Sequence, residues 1–183
     1  KNKTYAFVKG EGILRFGKQV INLAEYGHEL ALSDEMIEQM EIERIPAKTL
    51  FTVENLTSFI QFTQPHSIVV YLGGFHNLVK RNLITKIFNS TQGMECFHYG
   101  DIDAGGFYIL NHLREKTGIP FRPYMMDVET LIKFIDRAKE TTKSDECRLK
   151  KMQEDPRFAE FLPVIQAILK NKKKLEQEAE LEF

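Results

Sequence analysis

From Pro46 onward the apolar positions fall into a repeating order. Thr49-Leu50-Phe51-Thr52-Val53 is a short apolar run that ends on Glu54, and Asn55 then caps a segment carrying Leu56, Phe59 and Ile60. Ile68-Val69-Val70-Tyr71-Leu72 is a continuous apolar run, as expected of a strand covered on both faces, and it ends in Gly73-Gly74. Asn77 opens a helix with Val79, Leu83 and Ile87 at helical spacing. A third run, Met94 to Tyr99, leads into Gly100-Asp101-Ile102-Asp103-Ala104-Gly105-Gly106. A helical pattern then starts at Phe107, carries Leu110 and Leu113, and is stopped by Gly118-Ile119-Pro120. Phe121 to Met126 reads as a further strand, and Asp127 caps a helix with Val128, Leu131, Ile132, Ile135 and Ala138. Strands alternating with helices predict an α/β fold: a mostly parallel sheet with helices on both faces. Ligands of such sheets sit at the carboxyl ends of the strands, where Glu54, Gly73-Gly74, Asp101, Asp103 and Asp127 all fall.

The flanks are patterned differently. Tyr5-Ala6-Phe7-Val8, Ile13-Leu14-Arg15-Phe16 and Val20-Ile21 predict a small β-hairpin segment, and Ser33 caps a helix over Asp34 to Glu43. After Lys139 the chain turns polar, with a loop at Thr141-Thr142-Lys143-Ser144 and a polar helix over Asp145 to Glu154. Phe158 to Lys170 predicts an amphipathic helix with Phe158, Phe161, Leu162, Ile165, Ile168 and Leu169 on one face. Lys170 to Glu182 alternates in charge sign and reads as a solvated helix end. The expected division is a β/α segment over 1–45, a core over 46–140 and a helical extension over 141–183.

Composition narrows the function classes. The 183 residues are 43% apolar, enough for a real core, and the formal net charge of -1 gives no global basic field, so nucleic-acid binding must rest on local patches. Cys96 and Cys147 lie far apart with no metal-ligand spacing, which argues against a zinc site or a disulfide scaffold and for a reducing, cytoplasmic location. No apolar run approaches the roughly 20 residues of a membrane span. No signal-peptide pattern is visible, and a first residue of Lys1 rather than Met leads us to expect a piece of a longer protein.

The chemistry concentrates on the acids. Two carboxylates two residues apart in an extended segment, Asp101 and Asp103, point to the same side of the backbone. They repel unless a cation sits between them. Glu54, at the end of another strand, is the natural third ligand. Three carboxylates at adjacent strand ends make a hard oxygen site suited to Mg²⁺ or Mn²⁺, ions that activate water and neutralise charge on a phosphodiester. Asp127 is either a fourth acid or a plain N-cap. A calcium loop of the EF-hand type is excluded, because a strand precedes the acids and His112 stands where a bidentate Glu is needed. His76 and Asn77 either face the same cleft or lie in a surface loop. Lys80, Arg81, Lys86, Arg114 and Lys116 lie on helix faces, where they either meet DNA phosphates or are simply solvated. His98, inside a strand, reads as a packed histidine.

The runs Val53-Glu54-Asn55-Leu56-Thr57, Gly73-Gly74-Phe75-His76-Asn77 and Tyr99-Gly100-Asp101-Ile102-Asp103-Ala104-Gly105-Gly106-Phe107-Tyr108-Ile109-Leu110, in that order, resemble a Toprim domain. More narrowly they are similar to the carboxy-terminal domain of the JetD family, the nuclease subunit of the Wadjet anti-plasmid defence systems, itself related to the Toprim domain of the topoisomerase VI A subunit. Met125-Met126-Asp127-Val128-Glu129-Thr130-Leu131 and Leu175-Glu176-Gln177-Glu178 share the resemblance, which covers roughly Pro46 onward. It implies Mg²⁺-dependent cleavage of double-stranded DNA with Glu54, Asp101 and Asp103 as the metal-binding acids, and, as partners, SMC-like complex subunits and a second copy of the chain, with no membrane. The topoisomerase relatives carry a nucleophilic tyrosine in a separate domain. Tyr5, Tyr26, Tyr71, Tyr99, Tyr108 and Tyr124 have no context for that role. Two other readings stand beside the nuclease: a non-catalytic module for dimerisation and docking, using the Phe158 to Leu169 helix, and a Toprim enzyme acting on RNA or as a primase-type nucleotidyl transferase.

Overall fold

The computed structural model describes residues 4–180. In chain order the elements are β1 (Tyr5–Gly10), β2 (Ile13–Phe16), β3 (Gln19–Asn22), α1 (Leu23–Tyr26), β4 (Leu30–Ser33), α2 (Asp34–Gln39), β5 (Glu41–Arg44), β6 (Thr49–Val53), α3 (Leu56–Gln61), β7 (Ser67–Tyr71), α4 (Leu78–Asn89), β8 (Glu95–Tyr99), α5 (Ala104–Thr117), β9 (Arg122–Pro123), α6 (Val128–Lys133), β10 (Lys139–Glu140), α7 (Lys143–Gln153), α8 (Leu162–Asn171) and β11 (Lys173–Lys174). Short 3-10 turns cover Ile135–Arg137, Pro156–Phe161 and Gln177–Glu180.

A six-stranded sheet in the order β4-β1-β7-β6-β8-β9 organises the chain. β6 pairs in parallel with both β7 and β8, and β8 with β9, while β1 runs antiparallel to β7 and β4 antiparallel to β1. This is the mostly parallel, Toprim-like α/β sheet the sequence predicts. The pleat alternation of β6 sorts its side chains onto two faces. Leu50, with Ile68, Val70 and Cys96, belongs to the large core under α4 and α5, which supply Leu83, Ile84, Ile87, Phe107, Leu110 and Leu113. Phe51 and Val53, with Val69 and Tyr99, form a smaller aromatic core covered by Phe59 of α3. Burial on both faces is why these strands read as continuous apolar runs.

The flanks depart from expectation in four places. β2 and β3 form the hairpin, with β5 alongside, but β1 and β4 join the main sheet. α2 ends at Gln39, and β5 takes the remainder of the segment expected to be helical. The Phe121 to Met126 strand shrinks to β9, where Pro123 offers no ladder donor. The amphipathic stretch from Phe158 is split into a 3-10 turn and α8, and Phe107 of α5 stacks on Phe161 at 4.5 Å between ring centroids.

Two corrections bear on the site. The helix expected from Phe107 begins at Ala104, with Asp103 as its N-cap, so Gly105 and Gly106 form a first helical turn rather than a loop. Gly106 is required there because a Cβ would stand 2.1 Å from the Asp101 carbonyl oxygen. The charge-rich segment after Lys170 is not a solvated helix end. β11 pairs with β10, Leu175 bridges to Ile102, and Leu175 and Gln177 are fully buried. This strap, residues 174–180, crosses the carboxyl end of the sheet; residues 181 and 182 of the expected helix lie outside the described residues.

Candidate acid site at the carboxyl end of the sheet

β6 and β8 lie side by side and end together, Val53 opposite Tyr99. The ladder runs one bond further, from the Glu54 N–H to the Tyr99 carbonyl at 3.0 Å. The chains then part, β6 into α3, whose N-cap is Asn55, and β8 into the Asp101 to Asp103 turn. The Glu54 carboxylate spans the gap, its Oε2 facing the Asp101 N–H at 3.4 Å. Gly100 makes room for it, since a Cβ there would stand 2.7 Å from both Glu54 Oε2 and His98 Nε2. The sequence thus brings Glu54 to the Asp101 loop, as its strand-end position predicts.

The other two acids are already engaged. Asp101 Oδ1 accepts from the Gln177 N–H at 2.8 Å. Asp103 Oδ1 accepts from the Gly106 N–H at 2.9 Å, and its Oδ2 faces Lys174 Nζ at 3.9 Å. Lys174 in turn meets Asp145 Oδ2 at 3.2 Å. Among the described residues, no three His, Cys, Asp or Glu side chains are drawn into a single grouping that could hold a metal ion. Asp127 caps α6, accepting from the Thr130 N–H at 2.8 Å.

The electrostatics are those of crowded, half-dried acids. Burial, then the charge of Asp101, pushes the Glu54 carboxyl up to about 8. Burial also raises Asp101, to about 6, with Asp103, Glu176 and Glu178 adding repulsion against the stabilising Gln177 N–H. Glu180, buried and accepting from the Tyr99 hydroxyl at 2.9 Å, is likewise raised to about 8. His98 is fully buried and held neutral by that burial; its Nδ1 meets Thr52 Oγ1 at 2.9 Å, and its unpartnered Nε2 lies 4.0 Å from Glu54 Oε2. The packed reading of His98 fits its burial. A raised carboxyl beside like charges is the state that a divalent cation relieves, and the donors are hard oxygens, so their chemistry suits Mg²⁺ or Mn²⁺.

The basic and polar candidates separate. Lys80 lies at the same edge of the sheet, its Nζ donating to the Leu72 carbonyl at 2.5 Å, and burial lowers its pKa. Asn77 caps α4, accepting from the Lys80 N–H at 3.0 Å. His76 is buried rather than a surface loop residue, its ring tilted against that of His112 at 4.7 Å between centroids, and Arg81 donates to its carbonyl at 3.1 Å. Arg114 lies in the last turn of α5, roughly 15 Å along the helix from Asp103 at ~1.5 Å per residue. There it donates to the Phe121 carbonyl at 2.6 Å and pairs with Glu160. It therefore stands apart from the acids. Sequence reasoning gave no role to Lys174 or to the individual strap residues. Their signals were the resemblance carried by Leu175-Glu176-Gln177-Glu178 and the apolar Leu175 within a charged run.

A model of the family described as "Wadjet protein JetD, C-terminal" matches residues 9–181. Wadjet protein JetD of Bacillus cereus (strain Q1) is 29% identical over 176 residues, covering 94% of this chain and 43% of the relative. The chain thus spans less than half the length of that curated relative. No helix among the described residues is long and apolar enough to cross a membrane. With the family match running through β6, the Asp101 to Asp103 turn and the strap, the chain belongs to the family of the C-terminal region of Wadjet protein JetD.

Proposed function

We propose that this domain is the metal-dependent nuclease part of a Wadjet defence protein, cutting double-stranded DNA by hydrolysis. The observation that carries the reading is the approach of Glu54 Oε2 to the Asp101 N–H at 3.4 Å, with both carboxyls raised by burial and by neighbouring carboxylates. Glu54 and Asp101 would hold Mg²⁺ or Mn²⁺, joined by Asp103 once its Oδ2 is released from Lys174. When bound, the ion supplies charge neutralisation at the phosphodiester and a more acidic water.

The chain's own residues do the rest. Glu54 either binds the ion or, as the carboxylate, takes the proton of an attacking water; the burial that raises its pKa to about 8 makes that carboxylate a stronger base than a free glutamate. Asp103 fixes the start of α5 and so the direction of the Asp101 turn. Lys80 and Asn77, at the same sheet edge, are the candidates for phosphate contact, with His76 and Arg81 shaping that loop. Arg114 is assigned no contact near the acids. SMC-like subunits and a second copy of the chain are the proposed partners.

The docking-module reading draws on one observation: the acids are not gathered into a ready coordination sphere. Plasmid cleavage by the full-length protein separates the two. Glu54→Gln and Asp101→Asn are each expected to lower Mg²⁺-dependent cutting by at least 100-fold, and unchanged cutting by both would overturn the nuclease assignment.

A further inference from the structure

The strap brings to the acid site one fully buried polar residue that is not acidic. Gln177 is fully buried among Glu54, Asp101, Glu176 and Glu178, and a neutral amide there adds no repulsion. Its place is set by register. Ile102 donates to the Leu175 carbonyl at 2.8 Å and Leu175 returns the bond at 3.3 Å. Two residues on, an antiparallel register carries Gln177 opposite Gly100, between Tyr99 and Asp101.

Each side-chain polar atom of Gln177 meets a group that the parting strands leave over. Beyond the Glu54 to Tyr99 bond, β6 and β8 no longer reach each other. The Gln177 side chain fills the gap: its Oε1 accepts from the Asn55 N–H at 2.8 Å, and its Nε2 donates to the Tyr99 carbonyl at 3.2 Å. One side-chain amide thus replaces a missing ladder rung. The main-chain N–H of the same residue holds Asp101 Oδ1 at 2.8 Å. Glu178 adds a tie, accepting from Asn55 Nδ2 at 2.7 Å.

We propose that Gln177 is the positioning residue of the acid site, fixing the spacing between Glu54 and Asp101 by bridging the ends of β6 and β8 with its amide. The inference rests on the metal reading above. Gln177 touches no substrate. It acts through Asn55, next to Glu54, and through Tyr99, two residues before Asp101. Removing the amide leaves the half-buried Asn55 N–H without this partner and lets the two strand ends drift, so the acids lose their separation. A misplacement on the order of 1 Å is enough to weaken a site that needs its donors within ~0.5 Å.

The test is Mn²⁺ binding to the full-length protein, read by calorimetry and by the electron paramagnetic resonance of free Mn²⁺. Gln177→Met keeps the side-chain size and removes both amide bonds. It is expected to weaken Mn²⁺ binding at least tenfold. Leu14→Ala, in the separate β2–β3–β5 sheet, supplies a destabilised variant whose Mn²⁺ affinity should stay within twofold of the unaltered protein. Should Gln177→Met fail to fold, Gln177→Asn keeps the amide but shortens its reach by one methylene, and the same tenfold loss is expected. An unchanged Mn²⁺ affinity in the folded Gln177 variant, or an equal loss in Leu14→Ala, overturns the positioning role and leaves the metal reading standing. No Mn²⁺ binding by the unaltered protein overturns both.

Discussion

The Glu54 carboxyl is set apart from an ordinary glutamate by what surrounds it. A glutamate titrates near 4.5 in water, and here burial and the neighbouring Asp101 raise it to about 8. Glu180 moves over the same range and Asp101 from 3.8 to about 6. Between those limits the folded state holds protons that the unfolded chain has released. Their stabilising contribution is therefore complete below about pH 4 and is lost as pH rises through the folded values, with a slope of at most ~1.4 kcal/mol per pH unit per group. Thermal denaturation without divalent ions should show a Tm that falls from pH 5 to pH 8. Glu54→Gln should flatten that fall, because its amide has no proton to lose. Mn²⁺ should offset the fall at pH 8 in the unaltered protein only. The acid residues themselves were legible in the sequence, since strand-end position and the Asp101, Asp103 spacing are local facts. The Gln177 amide was not, because its partners, Asn55 and Tyr99, lie 122 and 78 residues away.

At the scale of elements, caps were the most readable signal. Asn55, Asn77 and Asp127 each accept from a main-chain N–H at the helix start the sequence predicts, whereas Asp103 does so at a start it did not predict. The start of α5 was less readable, because two consecutive glycines look like a turn by propensity and become helical only through packing. The distinction predicts two different outcomes for the same substitution. Gly106→Ala drives a methyl group into the Asp101 carbonyl and is expected to cost about 3 kcal/mol or more in denaturant unfolding. Gly105→Ala meets only the Asp103 Oδ1 at 3.1 Å, and helix propensity favours it by about 1 kcal/mol, so its net effect should be far smaller. The place of β1 was hidden for a different reason: strand pattern shows that a segment is extended but not which strand it will pair with, and β4, only four residues long, was not read as a strand at all.

For the whole molecule, the strap couples the C-terminal layer to the sheet. Lys174 reaches both Asp103 and Asp145 of α7, and Lys139 of β10 pairs with Glu176 at 2.6 Å. Leu175 is the apolar anchor, and Leu175→Ala should cost about 2–5 kcal/mol, measured by chemical denaturation. The same variant should weaken Mn²⁺ binding, since the strap that holds Asp101 is loosened with it. The parallel core was visible as apolar runs buried on two faces, whereas the strap, mostly Lys and Glu, looks like solvent-facing chain until its register with Ile102 is known.

Bonds between residues 55 and 177 and between 101 and 177 impose an order of events on the nascent chain. The ribosome delivers both acid loops long before it delivers the amide that locks them. Closing loops of that length is slow and late compared with local helix formation. A polypeptide interrupted between residues 103 and 177 consequently carries the acids without the amide and the main-chain N–H that fasten them, so the site is completed only when synthesis has passed that point.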